Sequence, residues 1–134
     1  MFALAFDRRH NILLTRFSGV FNSSDIDELD NAIVRFAVDH GPAHGILDFS
    51  GVIAVSVPMN RLLQRARQPA INPTHRRVIV ASDAEMFQLA VKFTTEQNLA
   101  GATGPLVVAT MDEALAALGA VDPVFEPLAN IAQL

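Results

Sequence analysis

The chain has 134 residues, 51% of them hydrophobic and 18% charged, with a net charge of -4 and no cysteine. That length and apolar content suit one domain that buries its core without disulfides or metal, and the missing thiols remove disulfide frames, thiolate metal sites and cysteine nucleophiles. The acidic balance argues against a general nucleic-acid binder, which collects phosphates on a strongly basic surface.

The N-terminal residues place their arginines after a short apolar run, the reverse of a signal peptide. No apolar stretch approaches the roughly 18 residues of a membrane span, so a cytoplasmic protein with no integral membrane segment is expected. Phe2 to Asp7 and residues 12–17 read as an antiparallel hairpin around the polar turn Arg8-Arg9-His10-Asn11. Ser23-Ser24-Asp25 then supplies a helix N-cap, and Ile26, Leu29, Ile33, Phe36 and Ala37 form an apolar stripe that ends at His40 before Gly41-Pro42. Residues 46–49 are a short apolar run suited to an interior strand.

Ser56 is expected to cap a second helix with Pro58 in its first turn, burying Met59, Leu62, Leu63 and Ala66 and leaving Arg61, Gln64, Arg65 and Gln68 outward. Residues 77–81 form a β-branched strand, and Ser82-Asp83-Ala84-Glu85 opens a third helix through about Leu99. Residues 106–109 give a fifth strand. Thr110-Met111-Asp112-Glu113 caps a fourth helix that Gly119 closes. Pattern alone yields an α/β sheet covered by helices, in the order β-β-α-β-α-β-α-β-α.

The segment Leu47-Asp48-Phe49-Ser50-Gly51-Val52 resembles the strand end "L-D-L-S-x-V" of STAS domains, and the element order resembles the SpoIIAA-like, STAS/SEC14-resembling group of small bacterial proteins. The match spans about residues 10–119. It implies a mixed central sheet with helices packed on it, a single domain over residues 1–119, and a C-terminal tail over 120–134 that packs on the domain or on a second subunit. Where regulated members carry "Asp-Ser-Ser-Gly", with a phosphorylated serine at the start of the next helix, this chain has Ser56-Val57-Pro58-Met59. The resemblance therefore implies the fold and class of role without the phosphorylation cycle.

Candidate chemistry is sparse. Asp48 ends an interior strand, where open α/β sheets place functional groups, although in the STAS family this aspartate belongs to the scaffold. His10, His40, His44 and His75 stand in unrelated contexts, and no pair has metal-motif spacing, so neither a metal site nor a cofactor is expected. Gly101-Ala-Thr-Gly104 lacks a nucleotide-binding pattern and reads as a connector. Charge is unevenly placed: residues 22–40 hold five acids against Arg35, whereas residues 50–81 hold no acid and include Arg61, Arg65, Arg67, Arg76 and Arg77. These arginines are either a local anion-attracting patch or a solvated face.

The third helix carries Met86, Phe87, Leu89, Ala90, Val91 and Phe93, more apolar circumference than one stripe requires. The surplus suggests cover by the tail residues Val124, Phe125, Leu128 and Ile131, by a second subunit, or by an apolar ligand. A homodimer through Met86, Leu89, Phe93 and Phe125 is the expected form. Two functions remain. One is a non-catalytic regulatory module that binds a protein partner through Asp48, Ser50, Ser56, Pro58, Met59, Arg61 and Arg65. The other is a carrier or sensor of a small apolar or amphipathic molecule, with the third helix lining a pocket and residues 61–77 meeting an anionic head group.

Overall fold

A computed structural model describes residues 1–128. Its elements run β1 (Phe2–Asp7), β2 (Ile12–Asn22), α1 (Ser23–His40), β3 (His44–Ser56), α2 (Met59–Ala66), β4 (Arg77–Val80), α3 (Ala84–Leu99), β5 (Leu106–Val108), α4 (Met111–Ala117) and β6 (Glu126–Leu128). They form one sheet in the order β5-β4-β3-β2-β1-β6. The pairings differ in sense: β2–β3, β3–β4 and β4–β5 are parallel, while β1 runs antiparallel to both β2 and β6. The result is the expected mixed α/β sheet, with one strand more than the sequence pattern predicts.

Alternation along β2 divides the core, because successive side chains point to opposite faces of a strand. Phe17 meets Leu29 of α1, Leu62 of α2, and Met86 and Ala90 of α3 in one buried cluster. Leu13 joins Ala32 and Phe36 of α1 on the same face. On the reverse face Ile12, Leu14, Ile46, Val78 and Val80 pack against Ala114 of α4, with Phe125 at the margin. Three helices thus cover one face, and the short α4 covers part of the other.

β2 and β3 are both longer than their apolar runs suggested, and this alters two caps. Because β2 continues to Asn22, that residue caps α1 in place of Ser23: its side chain accepts from the Asp25 N–H, while Asp25 accepts from the Asn22 N–H. Asp25 also receives the N-terminal ammonium at 2.6 Å. Because β3 continues to Ser56, that serine lies in the strand and does not cap α2. Pro58 occupies the N-cap position with no side-chain hydrogen bond. The remaining caps are Asp83 on α3, accepting from the Met86 N–H, and Thr110 on α4, accepting from the Glu113 N–H.

Two register shifts in the β2–β3 pairing accommodate the extra length, one between Arg16 and Ser18 and one between Gly19 and Val20. At the first, the backbones approach so closely that a Cβ on Gly51 would stand 2.8 Å from the Phe17 carbonyl oxygen. The glycine of the Leu-Asp-Phe-Ser-Gly-Val segment is thereby accounted for by close backbone approach.

The segment after Gly119 returns to the sheet. Ala120 is buried beside α4, Phe125 packs on the same cluster, and β6 pairs Leu128 with Leu4 and Glu126 with Phe6. Ile131 lies outside the described residues. Asp7 holds this return: buried at the end of β1, it accepts from the His10 N–H at 3.0 Å, the His10 ring at 3.1 Å and the Val124 N–H at 2.9 Å. Burial pulls the Asp7 carboxyl upward, but these hydrogen bonds and the nearby His10 outweigh it, so its pKa lies below the ordinary value of 3.8. A depressed folded value stabilises above the unfolded pKa and loses that stability as pH falls through the folded value. Asp7→Asn, whose amide cannot accept all three bonds, is expected to cost about 1–3 kcal/mol at neutral pH. It should also flatten the acid limb of stability, measured as urea midpoints by circular dichroism, and speed amide exchange where β1 pairs with β6; an unchanged acid limb would remove Asp7 as the clasp.

Candidate functional site

Two regions gather the residues singled out in the sequence. The first is the rim where β2 and β3 run past their neighbours. β4 pairs with β3 only over Gly45–Asp48, so beyond Asp48 β3 has a strand partner on the β2 side alone. Val20 of β2 pairs with Ala54, next to Ile53 and Val55. Their exposures are 45%, 82% and 41%, and Met59 at the start of α2 is 44% exposed. An apolar ribbon therefore projects beside Ser56 and Pro58. The expectation that Met59 would be buried is corrected: Leu62 and Ala66 are the residues α2 buries.

Asp48 supports this rim from below. One carboxylate oxygen accepts from the Ser50 N–H at 3.0 Å and the Ser50 hydroxyl at 2.6 Å. The other lies 3.9 Å from Arg16 Nε. The first oxygen thus fixes the chain where β3 leaves the β4 pairing. The His10 ring is tied to Asp7, and His40 stacks on Phe36 at 4.6 Å between ring centroids.

The second region is a cavity of about 140 Å³ between the sheet and α1, α2 and α3. Its floor is aromatic: Phe17 and Phe49 stack at 4.5 Å, and Phe21 meets both edge-on. Met86, Leu89, Ala90 and Phe93 of α3 form its roof, together with Leu29, Ile33 and Leu62. The apolar surplus of α3 is thus directed largely inward. Phe125, grouped with these residues in the sequence reading, packs on the reverse face of the sheet.

Polar side chains gather at the end of the cavity where β3 and β4 begin: Asp30, His44, Arg65, Asn72 and Arg77. The acid run of α1 and the arginine run of α2 meet here. Arg65 Nε donates to Asp30 at 2.9 Å, and Arg61 Nη2 donates to Asp27 at 2.6 Å. Arg67 lies 3.6 Å from Glu96 of α3. Neither the open anion-attracting patch nor the solvated face describes these arginines, since α1 and α3 supply their counter-charges. The Arg65 side chain is only 12% exposed.

Arg77 is different. Its Nη2 donates to Gln97 Oε1 at 2.9 Å and to the Thr103 carbonyl, and the wholly buried Gln97 donates in turn to the Gln68 carbonyl. Among the described residues no carboxylate pairs with it. Burial, aided by the charge of Arg65, pushes its pKa below the ordinary arginine value. Beside it His44 accepts from the Arg76 N–H, and burial, then the charges of His75 and Arg76, lower its pKa. Sequence reasoning missed the separate status of Arg77, because only the fold shows which arginines receive an acid.

No family model matches the chain, and no curated protein matches it. A solved structure of the anti-sigma factor antagonist SpoIIAA in its unphosphorylated form is similar, with a TM-score of 0.59 at 16% identity, covering 90% of this chain and all of that one. No helix is long and apolar enough to cross a membrane among the described residues.

The α1–α2 ion pair walls the cavity, so breaking it should register as stability. Asp30→Asn and Arg65→Gln are each expected to destabilise by about 1–3 kcal/mol, with a coupling energy of about 1 kcal/mol or more in the double-mutant cycle. Urea unfolding of the four proteins measures this, and strictly additive losses would show that the two charges do not hold α1 to α2. On the sheet order, the strand–helix sequence and this similarity, the chain has the STAS fold of SpoIIAA.

Proposed function

We propose that this chain is a non-catalytic interaction module of the STAS type, whose partner face is the rim formed by the ends of β2 and β3 and the start of α2. The projecting ribbon carries the reading. Val20, Ile53, Val55 and Met59 are each exposed, along a β3 segment with a free edge beyond Asp48 and at the start of α2. Exposed apolar surface next to unpaired backbone suits capture of another chain by strand addition and apolar contact. Ser56 and Pro58 belong to this face; the phosphoserine position of the regulated members resembled in sequence falls on Val57 or Pro58, and Val57 packs inward against the core.

The non-catalytic part draws support from the use of the carboxylates. Asp7, Asp25 and Asp48, the three buried acids, each accept hydrogen bonds that fix backbone or the chain terminus. Among the described residues no three histidine, aspartate or glutamate side chains are grouped to hold a metal.

A second reading rests on the cavity: a carrier or sensor of a small apolar or amphipathic molecule. Its aromatic floor and polar end match the form of small-ligand sites, mostly apolar with a few converging polar groups.

The rim is tested by Ile53→Asp and Met59→Asp, introduced singly and together. The surface positions should leave the urea midpoint within about 0.5 kcal/mol of the parent. Partner chains cross-linked to the parent protein in its source cells and identified by mass spectrometry should be lost from the double variant. Retention of the same partners at the same yield would place the interaction elsewhere.

A further inference from the structure

Arg77 has a charge that the fold does not neutralise. A guanidinium presents five N–H donors in a planar fork, and Arg77 is half-buried, partly withdrawn from water without a counter-charge. The neighbouring Arg61, Arg65 and Arg67 each have an acid; Arg77 has a glutamine side chain and a backbone carbonyl, both held through Nη2. No fully buried side-chain donor is unpaired among the described residues, so the remaining donors of Arg77 lie where a solute can reach them.

Arg77 also stands at one end of an apolar chamber. Gly45, its partner across β3 and β4, lines the same cavity, and a Cβ there would meet nothing closer than Arg77 Cγ at 3.9 Å. The missing side chain keeps space open directly beside the arginine. A void of about 140 Å³ matches the apolar cavities of roughly 150 Å³ that accept a benzene-sized molecule.

We infer that the cavity binds a small monocarboxylate whose body is an aromatic ring or a short branched chain, with the carboxylate on Arg77 and the body against Leu13, Leu47 and Phe93, the lining residues nearest that arginine. This deepens the carrier or sensor reading and rests on it. The anion would supply the counter-charge that Arg77 lacks, and a planar carboxylate fits the guanidinium fork. Arg65 does not compete, since Asp30 already occupies it.

The alternative use of Arg77 is purely structural, tying the start of β4 to α3 and the α3–β5 loop. The two differ in whether charge on the ligand matters. With neither tryptophan nor tyrosine in the chain, binding is followed by methyl chemical shifts of Leu13 and Leu47. Benzoate and 3-methylbutanoate are titrated against their neutral amides, benzamide and 3-methylbutanamide, using the full chain. Each acid should bind about tenfold or more tightly than its amide, as a charge-assisted pair requires. In Arg77→Gln that preference should vanish while the amide affinity is kept.

Gly45→Leu, which fills the space and leaves Arg77 in place, should abolish binding of both. Equal affinity of acid and amide for the parent protein would overturn the carboxylate inference and leave the carrier reading standing. Binding of neither would overturn both, and unchanged binding to Gly45→Leu would show that the site is not this cavity. The acid-to-amide ratio is read in the parent protein, so it decides the matter even if Arg77→Gln does not fold.

Discussion

The parallel pairing of β2 with β3 is the constraint on which both the core and the two candidate binding regions depend. It is the longest pairing in the sheet, from Ile12 opposite His44 to Asn22 opposite Ser56, and it absorbs two register shifts on the way. Since side chains alternate across a strand, this register sends Leu13, Phe17 and Leu47 to the three-helix face and Leu14 and Ile46 to the α4 face. The same pairing outruns β4, whose contact with β3 stops at Asp48. One constraint thus places both the aromatic floor of the cavity and the unpaired ribbon of the rim.

A second layer of order is electrostatic. α1 is acidic and α2 basic, and the fold sets them side by side so that Asp27 and Asp30 receive Arg61 and Arg65. These pairs are partly exposed and individually modest. Their larger effect is positional, because they fix the helices that wall the cavity. They also use up the acids within reach, which leaves Arg77 with neutral partners only. Asp48, by contrast, accepts from Ser50 through one oxygen, at the point where β3 leaves its pairing with β4. The two regions accordingly offer different things: an apolar strand edge at one, and a charged entrance to an apolar chamber at the other.

Much of the architecture was legible in the residues. Periodicity located four helices, Thr110 caps the fourth as expected, and the Leu-Asp-Phe-Ser-Gly-Val segment with the element order pointed to the fold that the SpoIIAA structure shares. What was not legible had specific causes. Residues 50–56 lack an alternating apolar pattern because that part of β3 projects from the sheet, so its strand character and the loss of the Ser56 cap could not be read. β6 is three residues long and contains Pro127, which hides it from pattern reading, although an edge position tolerates a proline. The roles of Arg61 and Arg65 depended on contacts more than thirty residues away in the chain. Sequence showed that arginines cluster; only the packing showed that Arg77, unlike the exposed Arg76, is half-buried without an acid.

Two places are proposed for other molecules, one on the rim of the domain and one in its core. A native mass spectrum of untagged protein, taken gently from its source cells, tests this most directly because it reports bound chains and bound small molecules together. The expected spectrum shows the chain carrying a reproducible extra mass, either a partner protein on the β2–β3 rim or a small acid released on collisional activation. A bare monomer in every charge state, across dilution and under the gentlest conditions, would contradict it.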